Sequence, residues 1–142
     1  MIERSCGTIP YTVKENTIYY LLIRSKESGY CGFPKGHMES DEGEIETALR
    51  ETLEETSVKV SIDREARYEI TYKMRNGNDK AVVYYIARFQ DQSPSRYNGF
   101  EDFEYLLLPF DRAYREISFE NTREILKKAN DFLITKKIKD SL

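Results

Sequence analysis

The sequence predicts an α+β fold, a mixed β-sheet flanked by two helices, and three observations predict it. Apolar segments rich in β-branched and aromatic residues recur at strand length. Among them lies one uninterrupted stretch of Glu, Ala, Leu and Arg, and a second helical periodicity closes the chain. The resulting order, β-β-α-β-β-β-α, packs as a sheet with helices against it, an α+β or α/β sandwich. A chain of 142 residues suits one domain over residues 1–142 and can bury a core without disulfides.

Residues 4–13 are mixed apolar and 17–23 (TIYYLLI) read as a buried strand, with Lys14-Glu15-Asn16 as the polar turn between them. Residues 29–36 (GYCGFPKG) hold three glycines and a proline, which predicts a shaped loop. The clearest helix covers residues 43–56, with Ser40 or Asp41 as candidate N-caps. A short alternating strand follows at 58–62, then strands at 68–74 and 81–89 joined through Asn76-Gly77, a strong hairpin signal. Residues 90–99 are a polar loop, and 103–108 a last strand that Pro109 ends. Ile125, Leu126, Ala129, Phe132 and Leu133 carry helical spacing over 121–138, with Ser118 or Asn121 as the cap.

Composition narrows the function. A net charge of −3 and a pI near 5.4 argue against a broad nucleic-acid-binding face, which needs a basic patch, so no long nucleic acid is expected as partner. A small anionic substrate stays compatible, given a cation or a few local Lys and Arg. Cys6 and Cys31 have neither CxxC spacing nor a neighbouring His and read as free thiols of a reducing compartment. No signal peptide or membrane-length apolar run is found, so a cytoplasmic location without membrane association is expected.

The first helix is chemically unusual. At 100° per residue Glu51, Glu54 and Glu55 fall on one face, while Ile45, Ala48, Leu49 and Thr52 fall on the other and are expected to meet the core. Like charges at i, i+3 and i+4 repel by a few tenths of a kcal/mol per pair, roughly, on an exposed helix. A divalent cation among them would remove that cost, and converging carboxylates suit Mg²⁺ or Mn²⁺ rather than zinc. Taken alone, three glutamates on one face are more often a solvated surface than a metal site.

The wider spacing decides between these readings. Gly36, Glu42, Arg50, Glu51, Glu54, Glu55 and Val58 stand at the offsets of the Nudix box, so this stretch resembles the Nudix hydrolases. Two positions depart, Thr52 for an aliphatic residue and Ser57 for the glycine that ends the helix. Ser at that exit opposes the left-handed conformation by about 1 kcal/mol. The resemblance implies the Nudix α/β/α sandwich, with Glu51, Glu54, Glu55 and the Gly36 carbonyl as metal ligands. Arg50 would then hold Glu51, and Glu42 would pair with Arg50. The metal would lower the pKa of a bound water and align it with phosphorus. Beside the helix glutamates, Glu101 is the implied general base, with Asp102 and Glu104 as rivals.

The flanks resemble the asymmetrical diadenosine tetraphosphate hydrolases through Phe33-Pro34-Lys35-Gly36-His37, residues 46–52, Lys80 to Tyr85, and residues 101–107, with Leu107 where a Trp is common. That resemblance implies hydrolysis of diadenosine tetraphosphate to ATP and AMP. It places Lys35, His37 and Lys80 on phosphates and Tyr72 and Phe132 as a clamp on a base. Alternatives left open are a nucleoside triphosphate, a 5′-triphosphate RNA end, a diphosphoinositol, and a non-catalytic nucleotide-sensing module.

Overall fold

The computed structural model describes residues 2–95 and 102–141. Strand β1 (Ile2–Lys14) and β2 (Thr17–Ser25) form the first hairpin. Its two-residue turn has Glu15 and Asn16 at φ 50° and 64°, the positive pair that matches the twist of the strands. The residues expected to be one loop instead hold two short strands, β3 (Cys31–Gly32) and β4 (Lys35–His37). Each borrows an edge that periodicity cannot reveal: β3 pairs with β2 and β4 with β1.

Helix α1 spans Glu44–Thr56. It is capped at Gly43, whose N–H donates to the Glu46 carboxylate at 3.3 Å, and not at Ser40 or Asp41. Strand β5 (Ser61–Lys73) is one long strand, bulged between Ile62 and Arg67, where separate strands at 58–62 and 68–74 were expected. The bulge breaks the alternation, so one strand reads as two. The hairpin to β6 (Asp79–Arg88) forms as predicted, with Gly77 at φ 87°. Strand β7 (Phe103–Pro109) runs directly into α2 (Phe110–Glu116), a helix too short to show periodicity in the sequence. Helix α3 covers Glu120–Ser141. Its first turn closes on the Phe119 carbonyl, and the Ser118 hydroxyl, expected as a cap, instead accepts the Cys31 N–H at 2.8 Å.

The sheet runs β3-β2-β1-β6-β5, with β4 added to β1 and β7 to β2. Strand β1 is parallel to β6 along one side. Its other side is divided, residues 5–7 pairing with β4 and 11–14 with β2. That division brings the loop before α1 under the start of β1. One face carries α1, whose Ala48 packs with Cys6, Val83 and Tyr85. The opposite face carries α2 and α3 on the main core of Ile9, Leu22, Ile86, Ile117 and Leu126. The predicted α+β class, a mixed sheet between helices, is what the structure shows.

The buried face of α1 departs from the wheel. Thr47, Ala48, Thr52 and Thr56 are buried, whereas Leu49 is 38% exposed. Both cysteines are free and buried. Among the described residues no helix is long and apolar enough to cross a membrane.

Candidate active site

Helix α1, the loop before it and strand β4 meet at one end of the sheet. Arg50 organises this junction. Its Nε donates to Glu42 Oε2 at 2.6 Å and its Nη2 to Glu42 Oε1 at 3.0 Å, a bidentate pair. Nη2 also donates to the His37 carbonyl at 3.0 Å, tying the helix to β4. Nη1 lies 3.3 Å from Glu51 Oε1 and 3.2 Å from Glu54 Oε2. Glu42 further accepts from the Thr47 hydroxyl and the Glu39 N–H. The Arg50 guanidinium and these donors hold the Glu42 carboxyl down at about 2.

Gly36 packs against Glu51 so closely that a Cβ there would overlap its carboxylate. Only glycine lets the strand approach the helix this far. Burial pushes the Glu51 carboxyl above the usual range, although Arg50 opposes the shift. Glu55 accepts the Lys35 N–H at 2.9 Å, and its carbonyl accepts the Tyr105 hydroxyl at 2.7 Å. Burial and the neighbouring charge of Lys80 lower the Lys35 ammonium pKa. Ser57 does adopt the left-handed conformation, φ 62°, and its N–H closes on the Leu53 carbonyl at 2.8 Å. The helix exit therefore keeps the geometry a glycine would give.

The three helix glutamates do not converge on one point. Glu51 and Glu54 turn to Arg50 and Glu55 to the β4 backbone, and no metal cage of three His, Cys, Asp or Glu forms among the described residues. Their chemistry nevertheless suits a hard divalent cation. They are oxygen donors held on one rigid helix, and one is half-buried against a backbone that a Cβ would block.

Other sequence-derived residues fall in different places. Tyr72 is 39% exposed on β5, directly across from Lys80 on β6. Phe132, on α3, is partly buried against the main core and does not border the cleft lined by Lys35 and Glu55. Glu104 is paired with Arg24 at 3.1 Å and Asp102 with Lys26 at 3.7 Å, while Glu101 lies outside the described residues.

Two aromatics that the sequence did not single out line a cleft beside the carboxylates. Tyr30 and Phe119 are 60% and 50% exposed, with ring centroids 5.0 Å apart. They border a cavity of about 320 Å³ together with Lys35, Glu55, Phe33 and Tyr84. Ser118 and Cys31 exchange two hydrogen bonds behind them, fixing the α2–α3 junction to β3. The available signal was exposure of a large ring, which only tertiary structure shows.

A mixed sheet between helices, with Glu42, Arg50, Glu51, Glu54 and Glu55 gathered at one end, defines a class. The NUDIX domain model matches residues 3–129, and the chain belongs to that family as a Nudix hydrolase. Among its relatives, the asymmetrical bis(5′-nucleosyl)-tetraphosphatase of Rattus norvegicus is 32% identical, over 94% of this chain and 97% of the relative. The Mus musculus protein of the same name is 30% identical over the same shares. The crystal structure of a C. elegans Ap4A hydrolase binary complex superposes with a TM-score of 0.85 at 22% identity, covering 94% of this chain and 98% of that one, which shows the shared fold.

Proposed function

We propose that this enzyme hydrolyses a dinucleoside polyphosphate, diadenosine tetraphosphate, with water to ATP and AMP, using Mg²⁺ or Mn²⁺. The observation that carries the reading is the juxtaposition of two chemistries in one cleft. Lys35 and Glu55 stand beside the exposed rings of Tyr30 and Phe119. A nucleotide needs both, a flat surface for its base and charge neutralisation for its phosphates. The rat and mouse relatives support the choice of substrate.

Glu51, Glu54 and Glu55, with the Gly36 carbonyl, are the groups that would hold the cation. When bound, it would neutralise phosphate oxygens and acidify a water. The remaining work falls to the chain itself. Arg50, anchored by Glu42, holds Glu51 and Glu54 in place. Lys35, with a lowered pKa, His37 and Lys80 donate to phosphate oxygens. Because Asp102 and Glu104 are paired elsewhere, a helix glutamate or Glu101 takes the proton from the attacking water. Tyr72 supports the base from the β5 side, and Phe119 replaces Phe132 as the opposing surface.

The test is turnover of a nucleotide panel with Mg²⁺, with products separated by chromatography. Equal amounts of ATP and AMP from diadenosine tetraphosphate are expected. Release of pyrophosphate from a nucleoside triphosphate, without cleavage of the dinucleotide, would overturn the substrate. Full activity in Glu55→Gln would overturn the metal assignment, and absence of turnover across the whole panel would leave a non-catalytic nucleotide-sensing module as the alternative.

A further inference from the structure

The Ser5 hydroxyl is fully buried and makes no hydrogen bond, the one such side-chain oxygen among the described residues. A hydroxyl in that position has lost its hydration and gained nothing for it. Its surroundings follow from the pleat of β1. Cys6 packs on Ala48 of α1, and Thr8 bonds Thr52 of α1, so Ser5 and Gly7 face the opposite side.

Cross-strand partners share a face, and the register therefore names the neighbours of Ser5. Directly beside it are His37 on β4 and Val82 on β6. One step along the strand, Gly7 has Lys35 and Tyr84 as partners, and one step the other way Glu3 has Lys80. Ser5 thus stands between the rows of two lysines and next to the only histidine in the chain. Val82 offers no polar atom to the hydroxyl.

We propose that Ser5 is a phosphate-contacting residue of this enzyme, completing with Lys35, His37 and Lys80 a seat for one phosphate group of the substrate. This rests on the polyphosphate reading above and adds a specificity-determining hydroxyl to it. An oxyanion entering this face would meet the ammonium groups of the two flanking rows and accept the unused Ser5 O–H. Because Ser5 has no solvent exposure, the anion reaches it only as neighbouring side chains shift.

The test uses inorganic tripolyphosphate as probe, titrated calorimetrically into the whole metal-free chain of wild type, Ser5→Ala and Ser5→Cys. Thermal melts and steady-state kinetics on diadenosine tetraphosphate with Mg²⁺ are run in parallel. Both variants are expected to melt at or above the wild-type temperature, since they remove an unpaired hydroxyl. Tripolyphosphate binding should weaken by about tenfold, as for loss of a hydrogen bond to a charged group, and KM should rise in parallel. Unchanged tripolyphosphate affinity in Ser5→Ala would overturn the proposal. A lower melting temperature with unchanged affinity would do the same, by showing that the hydroxyl holds a buried water. Absence of tripolyphosphate binding to wild type would remove the seat itself. Weakened binding in the variants of a wild type that leaves the dinucleotide intact upholds the seat and overturns only the substrate reading. Cleavage of the dinucleotide with equal KM in wild type and Ser5→Ala does the reverse.

Discussion

The hydroxyls of Thr8 on β1 and Thr52 on α1 lie 2.7 Å apart in a fully buried contact, bonding the acidic helix to the central strand. Thr52 occupies a position where an aliphatic residue is usual, and Thr8 supplies the partner that its hydroxyl needs. Thr52→Val should therefore destabilise the protein by about 1–3 kcal/mol, because the Thr8 hydroxyl loses its bond. Thr8→Val should cost a similar amount, whereas the double variant should recover most of the loss. Urea unfolding of the four proteins measures the coupling, and additive effects would show that the contact carries no energy.

Glu42 and Arg50 give a pH signature. The Glu42 carboxyl lies below its ordinary value in the folded protein, so its pairing stabilises above the unfolded pKa and is lost as pH falls through about 2. Wild-type stability minus that of Glu42→Gln should thus be constant at neutral pH and shrink between about pH 4.5 and 2. Acid titration of both proteins followed by circular dichroism reads this difference. A gap independent of pH would place the effect in packing.

Gly36→Ala tests the close approach of β4 to α1. A methyl there meets the Glu51 carboxylate, so the helix or the glutamate must move. Overpacking of this kind costs about 1–3 kcal/mol, and turnover should fall further than stability. A variant with wild-type activity and melting temperature would show that the approach is dispensable.

Glu51 is held in place against the preference of its own charge. Burial raises its pKa, so Glu51→Gln should leave the metal-free protein as stable or more stable. The same change should remove the rise in melting temperature that Mg²⁺ is expected to give wild type. Equal Mg²⁺ stabilisation of both proteins would exclude Glu51 as a ligand.

Two phenylalanines of the C-terminal region should separate cleanly. Phe119→Ala removes an exposed ring from the cleft and should raise KM by about five- to a hundredfold, matching the energy of one stacked base, with the fold intact. Phe132→Ala should instead lower stability by about 2–4 kcal/mol with little change in KM, since its partly buried ring packs against the core. Reversed outcomes would return the clamp to Phe132.

The legible parts of this chain are those whose partners are close in sequence. Gly77 turns the β5–β6 hairpin at the predicted place, and Arg50 finds Glu42 eight positions away. Leu49 and Thr47 show the limit, because a helix wheel gives periodicity but not which side the strands of β1 and β6 will cover. Strand β4 was unreadable for a similar reason, since three residues become a strand only when β1 offers them an edge. Helix α2 is too brief for a period to register.

By itself the sequence determined the family and the acidic helix, because Gly36, Glu42, Arg50, Glu51, Glu54 and Glu55 stand at offsets that one helix and its entry loop translate directly into geometry. Only the tertiary structure decided which aromatics are exposed, how Thr52 is satisfied and what Ser5 faces. Each depends on contacts between segments distant along the chain: Tyr30 with Phe119, Thr8 with Thr52, and β1 with both β4 and β6. Residue spacing along one element sets direction within that element, while burial and register are set by the elements packed against it.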